Sequence, residues 1–363
     1  MTADPAEPTG PLTGLRVVEF AGIGPVPHCA MLLSDLGAEV LRIERPEGQW
    51  HNPVVDRGRA VLSVDIRSSS GRETCFEATD LADVVLEGFR PGVMERRGLG
   101  PAILLERNPR LVVARLTGWG QSGPLARAAG HDINYIALTG ALAAIGTKTG
   151  PSIPPLNLVG DFGGGSLYAA FGIMAALWER ERSGKGQVID VAMVDGAASL
   201  MAMVAGLAGH TPVERGRHFL GGAAPFYRCY FCADGREIAI GPIEPRFYAQ
   251  MLELIGAPGE FRDGQNDINT WEPRGAHLAT LFATRTRAQW CEILEGTDAC
   301  FAPVLTLEES FDHAHMRDRG VYVEANGLLQ VAPGPRFSRT PGTIAPTSDG
   351  QERLRRWCVQ SRS

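Results

Sequence analysis

His131 and Asp132 stand side by side in GHDINYIALTG, residues 130–140, where a polar loop meets a short apolar run. If IALTGAL continues as a helix, His131 lies near its start. There the positive end of the helix disfavours imidazolium and leaves a neutral ring able to accept a proton. A hydrogen-bonded structural histidine has the same sequence signature, so residue type leaves both roles open. A second stretch, NLVGDFGGGS (157–166), places Asp161 ahead of three glycines that open a helical pattern. Glycines admit a ligand to the backbone, and the free N–H groups of a helix start favour a developing anion. An N-cap aspartate followed by turn residues would look the same. Glu244, in GPIEPRFY, falls in a turn after a strand, where a surface carboxylate is the ordinary case.

Three further patterns bear on ligands. AGIGPVPH has Gly22 and Gly24 in place for a dinucleotide-binding turn, but Pro27 takes the position of the third glycine. Glu44 could stand for the ribose-binding acid, yet Arg45 follows at once, so a nicotinamide or flavin enzyme is not expected. Arg42, Arg45, Arg57, Arg59, Arg67, Arg90, Arg96 and Arg97 cluster near strand ends, where they could hold phosphates or simply face solvent. Cys229 and Cys232 form a lone C-x-x-C inside the strand-like run APFYRCYFC, without the second pair or histidine a zinc site needs. No metal is expected.

These residues need elements to position them. LRVVEFA, EVLRIE, VLSVDI, DVVLEG and LVVARLTG read as buried strands with helical stretches between them, which argues for a parallel, doubly wound sheet. Ligands of such sheets sit beyond the strands' C-terminal ends, where AGIGP, EGFRPG and TGWGQSG fall. Residues 161–182 are strongly helical, with Leu167, Ala170, Phe171, Met174, Leu177 and Trp178 on one face. QVIDVAMV returns as a strand. The expected organisation is a large domain over 1–204, a linker over 205–225, a small α+β domain over 226–307, and a segment over 308–363 that packs back on the large domain.

Composition narrows the classes. The 363 residues are 44% hydrophobic and 21% charged, ordinary for a soluble globular chain. A net charge of −6 gives no global attraction to nucleic acid or to an anionic membrane. MTADPAEPTGPL has no basic start or apolar core of a signal peptide, no apolar run reaches spanning length, and the final residues lack a peroxisomal address. A cytoplasmic location is expected. The 7 scattered cysteines do not form a secreted disulfide framework. Two lysines among many arginines fit a GC-rich bacterial genome.

The motifs GLRVVEFAGIGPVPH, LGAEVLRIERP, EGFRPGVMERRGLG, TGWGQSGP, GHDINY, NLVGDFGGGS, SGKGQVIDVAMVDG and GGAAPFYRCYFCADG, with GPIEPRFY, resemble the family III CoA-transferases, and within them the α-methylacyl-CoA racemase branch. The likeness covers most of the chain, and GHDINY and NLVGDFGGGS are its specific parts. It implies a Rossmann-like large domain, a smaller domain and an interlocked homodimer whose sites combine one subunit's large domain with the other's small domain. It implies that His131 and Asp161 are two catalytic bases, that Asn157 shares the loop of Asp161, and that Glu244 contacts the aspartate from the other subunit. CoA-binding positions carry over to Arg45, to Val64, Asp65, Ile66 and Arg67, to Gly88, Phe89 and Arg90, to Arg96, and to Gly130 before the histidine. In the sister transferases the matching aspartate is a nucleophile and no such histidine is expected, so His131 favours racemisation. The implied substrate is a 2-methylacyl-CoA, with CoA part of the substrate and no separate cofactor. Met193, Met201 and Met203 could line an acyl pocket, although methionines at that spacing serve a core equally well.

Overall fold

The first strand, β1 (Arg16–Phe20), is almost wholly buried because RVVEF carries β-branched and aromatic side chains on both faces of the pleat. It turns through AGIG into α1 (Pro25–Asp35), whose leading proline is preset for helix geometry. There follow β2 (Glu39–Glu44), β3 (Arg59–Ser63), α2 (Ser69–Asp80), β4 (Val84–Glu87), α3 (Val93–Arg96), α4 (Pro101–Arg107), β5 (Val112–Thr117) and α5 (Asp132–Leu138). A short α6 (Ala141–Ala144) precedes a π-helix over Leu158–Leu167, which runs directly into α7 (Tyr168–Ser183), then β6 (Val188–Ala192) and α8 (Met193–Leu200). This computed structural model describes residues 9–361. The opening residues and Arg362-Ser363, on which the targeting reading partly rests, lie outside the described residues.

Among the described residues, seven strands form one parallel sheet in the order Ser348–Asp349, β3, β2, β1, β4, β5, β6. The doubly wound sheet expected from the alternation of strands and helices is therefore present. Chain order reverses between β1 and β4, which opens a crevice at their C-terminal ends. One face of the sheet packs Val18, Phe20, Leu41 and Ile43 with Trp357; the other packs Val17, Val40 and Leu86 with Cys29, Leu33 and Ile173.

The continuous helix over 158–183 is 26 residues long and holds an 18-residue window of mean hydropathy 1.2, by length and composition alone enough to cross a membrane. The sequence reading placed a helix over 161–182 but saw no run of spanning length, because glycines and Asp161 interrupt the apolar residues. It packs on α1, α8, β5 and β6. Half of the apolar face read from the sequence, Ala170, Met174 and Leu177, packs against the core, and half does not. Ala169, Ile173 and Ala176 point inward, while Leu167, Phe171 and Trp178 are 53%, 74% and 70% exposed. Small residues allow the helix to approach the sheet closely, which leaves Leu167, Phe171 and Trp178 outside.

Two compact units result. The first holds residues to Thr139, Pro155–Leu200 and the chain from Gly320; the second holds Gly140–Pro154 and Met201–Arg319. Residues 140–154 and 308–319 thus fall in the second unit rather than in the large domain and the return segment. Arg215 reaches Ser152 Oγ at 2.9 Å, and Arg287 pairs with Glu309 at 2.6 Å, which ties both segments there. The expected linker also belongs to this unit. Besides α6, the second unit holds α9 (Ala202–Leu207), then an antiparallel sheet of β7 (Arg228–Phe231), β8 (Glu237–Ile240) and β9 (Phe301–Pro303). Helices α10 (Pro245–Ile255), α11 (Ile268–Phe282) and α12 (Arg287–Leu294) cover it, burying Tyr248, Phe282 and Trp290, and α13 (Leu307–Asp312) and α14 (Ala314–Asp318) close the unit. The returning chain forms the hairpin β10 (Tyr322–Ala325) and β11 (Leu328–Val331), the edge strand β12 (Ser348–Asp349) and α15 (Gly350–Gln360).

Candidate active site

The crevice beside β1 and β4 is a cavity of about 1010 Å³, at the upper end of small-molecule sites. It lies wholly within the first unit, and both His131 and Asp161 line it. His131 is the N-cap of α5, and its N–H donates to Asn134 Oδ1 at 3.0 Å. Asp161 is not the cap of its helix. Asn157 holds that position and donates from Nδ2 to Asp161 Oδ2 at 3.3 Å, leaving Asp161 one wide turn inside. Burial pushes the Asp161 carboxyl above the usual carboxylate range. The Asn157 hydrogen bond opposes this, the Asp132 charge adds to it, and His131 is close enough to pull it partly back.

Gly24 explains the glycines of the first loop. It has φ +70°, and a Cβ there would lie 3.0 Å from Asp161 Oδ2. The turn that fails as a dinucleotide fingerprint makes room for a carboxylate. Two of the glycines after Asp161 serve packing. Gly164 and Gly165 are buried; a Cβ on Gly164 would meet Ala197 N at 2.6 Å, and one on Gly196 would meet Gly164 O at 2.0 Å. They permit backbone-to-backbone packing of the π-helix on α8. On its other flank, His28 Nδ1 lies 2.5 Å from Ser166 Oγ and the His28 ring stacks on Phe162.

Most of the expected CoA positions line the same cavity. These are Arg45, Val64, Asp65, Ile66, Arg67, Gly88, Phe89, Arg90 and Gly130. Arg45 donates to Gly48 O at 2.8 Å, and Arg67 pairs with Asp65 at 2.7 Å and holds its carboxyl below the usual range. Arg96 is not among the lining residues, whereas Arg97 is. A Cβ on Gly92 would meet Arg96 Nη1 at 3.0 Å, so Arg96 folds back over its own loop. Three others of the arginine cluster are structural. Arg42 and Arg59 share the buried Glu19, and Arg57 grips Asp35 with two hydrogen bonds of 2.9 and 2.5 Å. Buried guanidinium groups of this kind must stay paired.

The remaining residues lie elsewhere. Glu244 is the exposed N-cap of α10 in the second unit, beside Cys300, whose thiol is pushed up by burial and then by the Glu244 charge. Cys229 is exposed and Cys232 buried, as alternation along a strand requires. Among the described residues no group of three His, Cys, Asp or Glu side chains could hold a metal ion. Met193 lines the cavity, while Met201 and Met203 belong to the second unit. Sequence reasoning missed Tyr135, whose hydroxyl donates to Gly130 O and whose ring meets Trp119 edge-on, and it missed the bond between Asp132 and Asp161. The adjacency of Asp132 to His131 was the one signal available.

The model of CoA-transferase family III matches residues 12–349. The chain belongs to that family. It is 45% identical over 341 residues to the mouse α-methylacyl-CoA racemase, covering 93% of this chain and 89% of the relative. The human racemase is 43% identical over 91% of this chain and 87% of its own. The crystal structure of Rv3272 from Mycobacterium tuberculosis superposes with a TM-score of 0.80 at 29% identity, covering 96% of this chain and 99% of that one. The chain is thus similar to two racemases of this family over most of its length.

Proposed function

We propose that the chain epimerises the α-carbon of 2-methylacyl-CoA thioesters by proton transfer through an enolate, with His131 and Asp161 as the two bases. The observation that carries the reading is that both side chains open on one cavity and that burial strengthens Asp161 as a base. A thioester α-hydrogen is far less acidic than either group, so negative charge must be stabilised as it builds on the thioester oxygen. One base removes the proton from one face of the planar enolate, and the other returns a proton to the opposite face. Arg45, Arg67, Arg90 and Arg97 supply positive charge for the CoA phosphates at the cavity rim. The chemistry requires no cofactor beyond the CoA of the substrate.

The working form we propose is a homodimer in which Glu244 reaches Asp161 of the other copy. The exposed stripe of Leu167, Phe171 and Trp178 supports it, since large apolar side chains aligned on one helix face favour a protein partner. We place the reaction in the cytoplasm, which fits seven cysteines scattered along the chain rather than spaced as a disulfide framework.

The test uses one pure epimer of a 2-methylacyl-CoA in D₂O without an acceptor acid. The inverted product should carry deuterium at Cα and, early in the reaction, should gain label faster than recovered substrate. A CoA-transferase working through an Asp161 anhydride would leave Cα unlabelled and would move CoA only once a carboxylate acceptor is added. That outcome would remove the racemase reading.

A further inference from the structure

The two proposed bases are held by one side chain that contacts neither substrate face in the scheme above. Asp132 is the first residue of α5, joined by a peptide bond to His131, and it is buried. Its Oδ2 accepts the backbone N–H of Asp161 at 2.7 Å. That N–H belongs to the opening turn of the π-helix and so has no partner within its own helix. Its other oxygen, Oδ1, is buried without a hydrogen-bond partner. Gly160 is shaped to admit this carboxylate, since a Cβ there would lie 2.6 Å from Asp132 Oδ2. A buried carboxylate with one oxygen unsatisfied destabilises a fold, and such groups call for a functional explanation.

We propose that Asp132 is the positioning residue for both bases, clamping the Asp161 backbone to the start of α5 and thereby fixing the gap across which the substrate's α-carbon must sit. The inference rests on the racemase reading of His131 and Asp161. The clamp joins helix starts that are far apart in sequence, and inversion, unlike exchange, needs both bases within reach of one carbon. The Asp132 charge acts on the same site, because it adds to the upward push on Asp161. The other titratable groups on elements packed against the π-helix are placed differently. From α5, His131 opposes that push, and Tyr135 lines the cavity. From α1, His28 sits on the far flank against Ser166, and from α8, Asp195 is exposed. From the sheet, Arg115 is paired with Glu87, and Asp190 accepts the Gln121 N–H.

Three variants of the full-length enzyme separate positioning from mere support. Asp132→Asn keeps an oxygen for the Asp161 N–H and loses the charge. Asp132→Ala loses both. Gly160→Ala leaves Asp132 in the chain but displaces its carboxylate. With a 2-methylacyl-CoA in D₂O, α-proton exchange and inversion are measured side by side across pH. In Asp132→Ala and Gly160→Ala, kcat for inversion should fall ~100-fold, the loss associated with misplacing a reacting group by about 1 Å. KM should change less than ~3-fold, since ground-state binding is untouched. The ratio of exchange to inversion should rise at least ~10-fold, because a single base in reach suffices for exchange. Asp132→Asn should keep more activity and shift the acid limb of kcat/KM to lower pH, as removing a neighbouring negative charge lowers the Asp161 pKa. A wild-type exchange-to-inversion ratio in Asp132→Ala (or in Gly160→Ala should the former not fold), together with an unmoved acid limb in Asp132→Asn, would overturn the clamp while leaving the racemase reading intact. Absence of α-exchange in the wild-type enzyme would instead overturn the racemase reading, and the clamp with it.

Discussion

Replacing Gly24 by alanine strikes the catalytic carboxylate from outside its own helix. Gly24 has φ +70° and ψ −118°, a backbone conformation that residues with a Cβ rarely adopt. Holding alanine there should destabilise the first unit by about 1–3 kcal/mol. At about 2–4 °C per kcal/mol, Tm should drop by several degrees. The added methyl would sit 3.0 Å from Asp161 Oδ2 and 3.4 Å from its Cγ, so the carboxylate must move by a few tenths of an ångström. Scaling from the ~100-fold loss expected for a 1 Å misplacement, kcat should fall about 3–10-fold. The assay pairs thermal melting by circular dichroism with epimerisation rates at saturating acyl-CoA. Gly22→Ala is the control, because a Cβ there finds its nearest neighbour at 3.9 Å and its φ is not positive. It should melt like wild type. If Gly24→Ala melts and turns over as wild type does, the loop does not hold the close approach described, and the reasoning fails.

Arg45→Ala and Arg90→Ala should act mainly through KM, each raising it by the equivalent of about 1.5–3 kcal/mol for a lost charge-assisted contact; an unchanged KM in both would remove them from the CoA site. The pH profile of kcat/KM should lose activity on acidification at a pH above the ordinary carboxylate range, because Asp161 is held up by burial and ceases to be a base as pH falls through its raised pKa. An acid limb at or below the ordinary aspartate value would contradict that. A mixed dimer with Asp161→Asn in one chain and Glu244→Ala in the other should keep about half of wild-type activity if each site draws on both chains, since one site is then intact. If each chain builds its site alone, both sites are damaged and little activity remains.

The parallel sheet was legible because β1, β2, β4 and β5 are short apolar runs bounded by turns, and only strands covered on both faces read that way. The position of His131 at a helix start was legible for a similar local reason. What failed was everything decided across the sheet. Arg42, Arg57 and Arg59 carry the same sequence signature as Arg45 and Arg90, and only packing reveals that Glu19 and Asp35 already hold them. Only half of the apolar face of α7 was read correctly, because periodicity weighs apolar size, whereas close packing selected Ala169 and Ala176 over Phe171 and Trp178. The Asp132–Asp161 bond spans 29 residues, and its one local trace was the adjacency of Asp132 to His131.

The edge strand β12 and helix α15 belong to the first unit although the second unit is encoded before them. Trp357 is fully buried, and its Nε1 donates to Glu39 at 2.9 Å. During synthesis, β3 therefore waits as an unpaired edge while the ~150 residues between α8 and α15 are added, roughly 8–30 s at ordinary rates of elongation. For that interval the nascent sheet already carries the strands that frame the cavity but lacks the piece that seals its flank. An open parallel edge is a template for pairing with a neighbouring chain. The yield of this protein should therefore depend on how quickly the ribosome completes β12 and α15, and on whether a chaperone covers β3 until it does.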